Sequence, residues 1–199
     1  MLKLLPLAIF ALLSLAAYSA PVATAQQTPA AQTQIDEKKI KSLIEDLKDA
    51  MDEARTTDSE GVDKFTITKG DAHSFSIRRL MTIGEVQSVD EIEIPWNKIN
   101  SIGLASNVSG EIHDVVLGFS EKLDYFFAVG SSVVPAKPKK DQTDSKIIRF
   151  KKRKEARGVR DIFKKILDEV GVKYTEKEDG TSTSSRENVF AHVELQTSL

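Results

Sequence analysis

The stretch Asp90-Glu91-Ile92-Glu93-Ile94-Pro95-Trp96-Asn97-Lys98-Ile99-Asn100-Ser101-Ile102 carries the reading of the fold. Ile92, Ile94 and Trp96 alternate with Glu91, Glu93 and Pro95. Successive side chains of a strand point to opposite faces, so this segment is a half-buried strand with a charged outer face. Trp96, the only tryptophan, is in register with Ile92 and Ile94 and is expected in the core, although beside Pro95 it could also anchor a ligand. Ile99, Ile102 and Leu104 continue the apolar pattern less regularly.

The period of two recurs on both sides of this stretch. Phe65 and Ile67 alternate with threonines, and Phe75 and Ile77 with serines and Arg78. Val115, Leu117 and Phe119 alternate, Tyr125 to Val129 is a short apolar run, and Ile148 and Phe150 form the inner face of a last strand. Gly70-Asp71, Ser109-Gly110 and Ser120-Glu121-Lys122 supply turns. About seven short strands joined by short turns predict an antiparallel sheet in an α+β chain. Two helices bracket it. Over residues 36–55, Ile40, Leu43, Ile44, Leu47, Ala50, Met51 and Ala54 step by three and four, an amphipathic helix whose stripe must bury against this chain's own sheet or against a partner helix. Val159, Ile162, Phe163, Ile166, Leu167 and Val170 repeat the pattern from Glu155 or Ala156 onward, with Gly171 as the stop.

Seven antiparallel strands followed by one amphipathic helix resemble the pleckstrin-homology-like fold over residues 62–171. Glu93 to Ile102 is similar to the segment of bacterial pleckstrin-homology and GRAM-type domains in which a strand ends, turns and restarts at an I-x-x-I pair, here Ile99 and Ile102. The resemblance implies a bent sheet or partly open barrel plugged by the C-terminal helix. It also implies a binding or scaffolding role without catalysis. The N-terminal helix is extra to that pattern, and Lys69-Gly70-Asp71-Ala72 lacks a basic set for inositol lipids.

A chain of 199 residues with 40% hydrophobic and 29% charged residues is sized for one domain with extensions, which excludes a large multidomain enzyme and a polytopic membrane protein. Residues 1–25 read as a signal peptide: Lys3, fourteen uncharged residues from Leu4 to Ala17, then Ala23-Thr24-Ala25 before a cut at Gln26. An uncleaved anchor is the alternative. Residues 26–35 read as a disordered linker and 175–199 as a mobile tail, in which Val189 to Leu195 alternates and could pair weakly. The expected location is periplasmic or secreted. The absence of cysteine removes disulfides, thiolate catalysis and Cys-ligated metal.

Charge is strongly segregated. From Lys137 to Arg160 eleven Lys/Arg face three acids, a net of +8; without Lys3 the chain stands at −3, so the remainder carries −11. The densest point, Lys151, Lys152, Arg153 and Lys154 with Arg157, is the candidate site for an anionic partner. The competing reading is a solvated loop. His73, His113 and His192 share no ligand spacing, so neither metal nor cofactor is expected. Glu91 and Glu93 share a strand face and could form a hydrolytic acid pair, but that face is expected to be solvent. Phosphate-loop, dinucleotide and nucleophile-elbow motifs are absent. Asn107-Val108-Ser109 is a glycan acceptor only in a eukaryotic route. The expectation is an exported, non-enzymatic domain that binds an envelope protein or peptide, or an anionic surface, with nucleic acid disfavoured. Strand addition beside the last helix and self-association through the first helix are two expected modes. The alternative is a small lipocalin-like carrier of an apolar ligand.

Overall fold

The computed structural model describes residues 36–53, 55–58, 61–107, 109–131 and 137–181. The expected signal peptide, the linker 26–35 and the Val189–Leu195 segment lie outside the described residues. The chain opens on α1 (Glu37–Glu53), where Asp36 Oδ1 accepts the backbone N–H groups of Lys38 and Lys39 at 3.1 Å each. This carboxylate satisfies donors that have no partner inside the helix. Then come β1 (Arg55–Asp58), β2 (Gly61–Gly70), β3 (Ser74–Ile83), β4 (Val86–Pro95), β5 (Ile99–Ser106), β6 (His113–Ser131), β7 (Lys139–Phe150), α2 (Arg153–Glu169) and β8 (Thr175–Thr181). Strands β1 to β7 pair antiparallel in one curled half-barrel sheet, the α+β architecture expected from the alternation. The sheet begins at Arg55, ahead of the expected start at residue 62.

Two departures from the sequence reading shape this sheet. Ser120-Glu121-Lys122 does not reverse the chain: β6 runs through it as one strand of 19 residues. Its first half pairs with β5, from Ser106↔His113 to Ile99↔Phe119, and its second half with β4, from Ile92↔Tyr125 to Val86↔Ser131. β4, the single 3-10 turn Trp96–Lys98 and β5 therefore form one bent path along one edge of β6, while β7 pairs along the other. The polar triplet lies where the β6–β7 register slips between Gly118 and Leu123. Extra residues on one strand bend it without ending it, so a bulge here has the composition of a turn. The second departure is β8. Residues 175–181, expected as tail, pair in parallel with β5 from Ser101↔Thr175.

The core fills the concavity. Phe75 and Trp96 stack at 4.4 Å between centroids, and Phe163 of α2 meets them at 5.4 and 6.4 Å. All three are buried, so α2 plugs one end of the curl as expected. Trp96 is also held by its polar atoms: Nε1 donates to the Asp71 carbonyl at 2.8 Å and its backbone N–H to the His73 carbonyl at 2.9 Å. α2 ends at Gly171, whose φ of 72° suits the left-handed cap, with Val172 N–H donating to Leu167 O at 2.9 Å. Ile40, Ile44, Leu47 and Met51 of α1 are buried in the same core, and α1 packs on α2 and β2. The stripe expected to serve either the sheet or a partner is thus used within the chain, which removes the surface proposed for self-association through this helix. Among the described residues no helix is long and apolar enough to cross a membrane.

Gly70 permits this docking. A Cβ there would lie 2.8 Å from Ile44 Cγ2, and Ile44 is itself buried. Gly70→Val should cost about 1–3 kcal/mol by overpacking. The cost should shrink in an Ile44→Ala background, a coupling that a double-mutant cycle of urea midpoints would read. The Asp71 loop adds a pH term. Asp71 Oδ1 accepts the backbone N–H of His73 at 2.7 Å and of Ser74 at 2.9 Å, which holds its carboxyl below the ordinary value of 3.8. A carboxyl lowered by folding stabilises above its unfolded pKa and loses that contribution as pH falls through the folded one. Asp71→Asn should therefore flatten the acid limb of the stability profile from about pH 4 downward, measured as urea midpoint against pH.

Candidate functional site

The basic window resolves into two populations. Lys151, Lys152, Arg153, Lys154 and Arg157 are exposed at the corner where β7 enters α2. Lys152 also bonds Glu155 at 2.8 Å, and Glu155 is the acid of the first helical turn. Lys151, Lys154 and Arg157 make no ion pair among the described residues. The N-terminus of a helix already carries the positive end of the macrodipole, so basic residues there add to a positive field instead of offsetting it. Other members of the window are consumed: Lys140 by Asp124 at 2.7 Å and Arg160 by Asp161 at 2.9 Å. Lys146 turns inward, its side chain only 11% exposed, and meets Asp90, whereas Arg149, between the core residues Ile148 and Phe150, lies on the opposite face of β7 at 12% exposure and meets Asp114.

That inward turn exposes a site the sequence reading missed. Where the helices do not reach, the concave face carries charge. Asp63 of β2 takes a two-pronged bond from Arg79 of β3, Nε and Nη2 each at 2.8 Å. Arg79 is the cross-strand neighbour of Asp90 on β4, and Lys146 of β7 reaches across to bond Asp90 Oδ1. The result is a string of alternating sign, Asp63–Arg79–Asp90–Lys146, carried on four strands. Both cations lie over the ring of Phe65, with Arg79 Cζ at 5.5 Å and Lys146 Nζ at 6.0 Å from its centroid. Burial opposes the Arg79 charge, but the bond to Asp63 and the fields of Asp63, Asp90 and Asp114 outweigh it and raise its pKa above the usual arginine value. Beside the string is a pocket of about 220 Å³, walled by Arg79, Asp90, Ile92, Tyr125 and Lys146 among others. The Tyr125 hydroxyl donates to Asp141 at 3.3 Å. Burial and that neighbouring acid push its pKa up.

A signal for this site is present in the alternation. Asp63 is in phase with Phe65, Arg79 with Ile77, Asp90 with Ile92, and Lys146 with Ile148. Residue type argued for solvent, and register placed each inside.

The other candidates are placed as follows. Glu91 and Glu93 lie on the outer face: Glu91 takes Arg78 at 2.8 Å and Thr68 at 3.1 Å, and Glu93 takes Ser74 at 3.0 Å. The Arg78 bond lowers the Glu91 pKa against its partial burial. The polar hollow is on the opposite side of β4, around Asp90. His73 is exposed, His113 Nδ1 lies 2.9 Å from Ser106 Oγ, and His192 lies outside the described residues. Among the described residues no three potential ligands cluster for a metal. Asn107 Nδ2, the atom a glycan would take, donates to Ser109 Oγ at 2.8 Å. The β5 edge beside α2, expected to accept a peptide, is occupied by β8. Lys164–Glu176 at 2.8 Å and Thr175 Oγ1 to Asn100 O at 3.3 Å accompany that pairing.

No family model matches the chain, and neither a characterised protein nor a solved structure matches it.

Removing one partner of a buried ion pair leaves the other charge uncompensated. Lys146→Met should lower stability by roughly 3 kcal/mol, and adding Asp90→Asn should recover most of it. Thermal or urea unfolding of the two variants checks this.

Proposed function

We propose that this chain is an exported, non-enzymatic binding module of pleckstrin-homology-like architecture that docks on an anionic envelope surface. The observation that carries the reading is the exposed corner Lys151, Lys152, Arg153, Lys154 and Arg157 at the start of α2. Of these, Lys151, Lys154 and Arg157 make no ion pair among the described residues and lie at the positive end of a helix, where an anionic surface would relieve their mutual repulsion. Much of the other basic charge in the window is neutralised internally, so the outward field is concentrated at this corner. Peptide capture at the β5 edge would require β8 to leave, which makes the corner the better-supported docking element. A carrier of apolar ligand would need an apolar hollow. Here the apolar half of the curl is filled by Phe75, Trp96 and Phe163, and the pocket beside it is charged.

Each basic residue near an anionic bilayer contributes about 1 kcal/mol. Reversing Lys151, Lys154 and Arg157 to Glu should therefore weaken binding to vesicles containing phosphatidylglycerol by at least about a hundredfold. Wild-type binding should also fade with added salt. Co-sedimentation in which the wild type ignores anionic vesicles, or the reversed variant still binds them, would remove the reading.

A further inference from the structure

We propose that the pocket at the open end of the curl is a binding site for a small zwitterion, a molecule of α-amino-acid type bearing one carboxylate and one ammonium group. The site shares no residue with the basic corner, so the two readings stand or fall separately.

Ion pairs serving only to tie strands together would tend to close on themselves. This string does not. Arg79 uses Nε and Nη2 on Asp63, with Nη2 also near Met81 Sδ at 3.6 Å, and makes no other hydrogen bond among the described residues. Its Nη1 end therefore keeps two N–H donors. Among the described residues Lys146 Nζ bonds only Asp90, which leaves two more donors. Asp90 uses Oδ1 on Lys146 and keeps Oδ2 as an acceptor. All three residues wall the same pocket of about 220 Å³. Desolvating these charges costs several kcal/mol per ion, which pairing only partly offsets. Arg79 Nη1 and Asp90 Oδ2 are open to solvent, so a ligand in the pocket can take them in exchange for water.

The mixture of signs sets the ligand class. A simple carboxylate drawn to Arg79 and Lys146 would meet Asp90, with Asp63 behind Arg79 and Asp141 behind Tyr125. A simple amine drawn to Asp90 would meet Lys146 and Arg79. A neutral molecule with separated charges answers both sets without adding net charge to this partly buried site. Its carboxylate takes the Arg79 and Lys146 donors, its ammonium takes Asp90 Oδ2, and its side chain lies against Ile92 and the Tyr125 ring. Size agrees: a cavity of about 150 Å³ holds a benzene ring, so 220 Å³ has room for a single amino acid.

Calorimetric titration of the full chain with L-alanine, L-leucine and L-phenylalanine tests the proposal, beside 4-methylpentanoate and 3-methylbutylamine as the carboxylate and amine halves of leucine. At least one zwitterion should bind saturably, and each half should bind at least about tenfold more weakly. No saturable binding by any of the three amino acids at ~10 mM overturns the proposal, and so does equal binding by either half. The ligand comparison needs no variant. Asp90→Asn with Lys146→Met, which removes both charges of the pair together, locates the site: binding should fall at least about tenfold, and unchanged affinity places it elsewhere and defeats the assignment.

Discussion

The bend at Trp96 sets the geometry on which both candidate sites depend. β6 is one strand of 19 residues, yet the chain along its edge turns through Trp96–Lys98 between β4 and β5. At the same level β6 slips against β7 between Gly118 and Leu123. The sheet therefore folds over on itself instead of extending flat, and Trp96 lies inside the fold, stacked on Phe75 and tied to the Asp71 and His73 carbonyls. Aromatic pairs of this kind contribute about 0.5–1.5 kcal/mol beyond the area they bury. The indole also satisfies its own donor, so the largest buried side chain carries no polar penalty.

That curl gives the concave face two chemically distinct halves. Phe163 and the apolar faces of α1 and α2 close one half with hydrocarbon. The other half is beyond their reach and carries Asp63, Arg79, Asp90 and Lys146. The strand β7 shows how finely the division is drawn. Lys140 near its start lies outside on Asp124, Lys146 lies inside on Asp90, and Lys151 just beyond its end is exposed. A run of basic residues is thus divided between an internal network and an external field, two uses with different dielectric surroundings and different energies.

How much of this was legible in sequence depends on the range of the interaction responsible. The helices were legible because their period is local: Ile40, Ile44, Leu47 and Met51, and likewise Val159, Phe163 and Ile166, mark their faces with no knowledge of what covers them. Ile92, Ile94 and Trp96 were legible as an inner face for the same reason. Ser120-Glu121-Lys122 was misleading because a bulge and a turn draw on the same polar residues. Only the ladders on either side show that the strand continues. The pocket was harder still. Lys146 alternates in phase with Ile148, but Asp90, the carboxylate that makes its burial tolerable, lies 56 positions earlier.

By itself, then, the sequence determined the α+β class, both helices, the inward faces of most strands and the exposed basic run, all set by neighbours a few residues apart. The tertiary structure decided that α1 covers its own core, that β6 is continuous, that β8 takes the β5 edge, and that four charged side chains converge beside a pocket. Those outcomes rest on contacts between distant segments. A buried charge is stable only where such contacts bring its counter-charge to it.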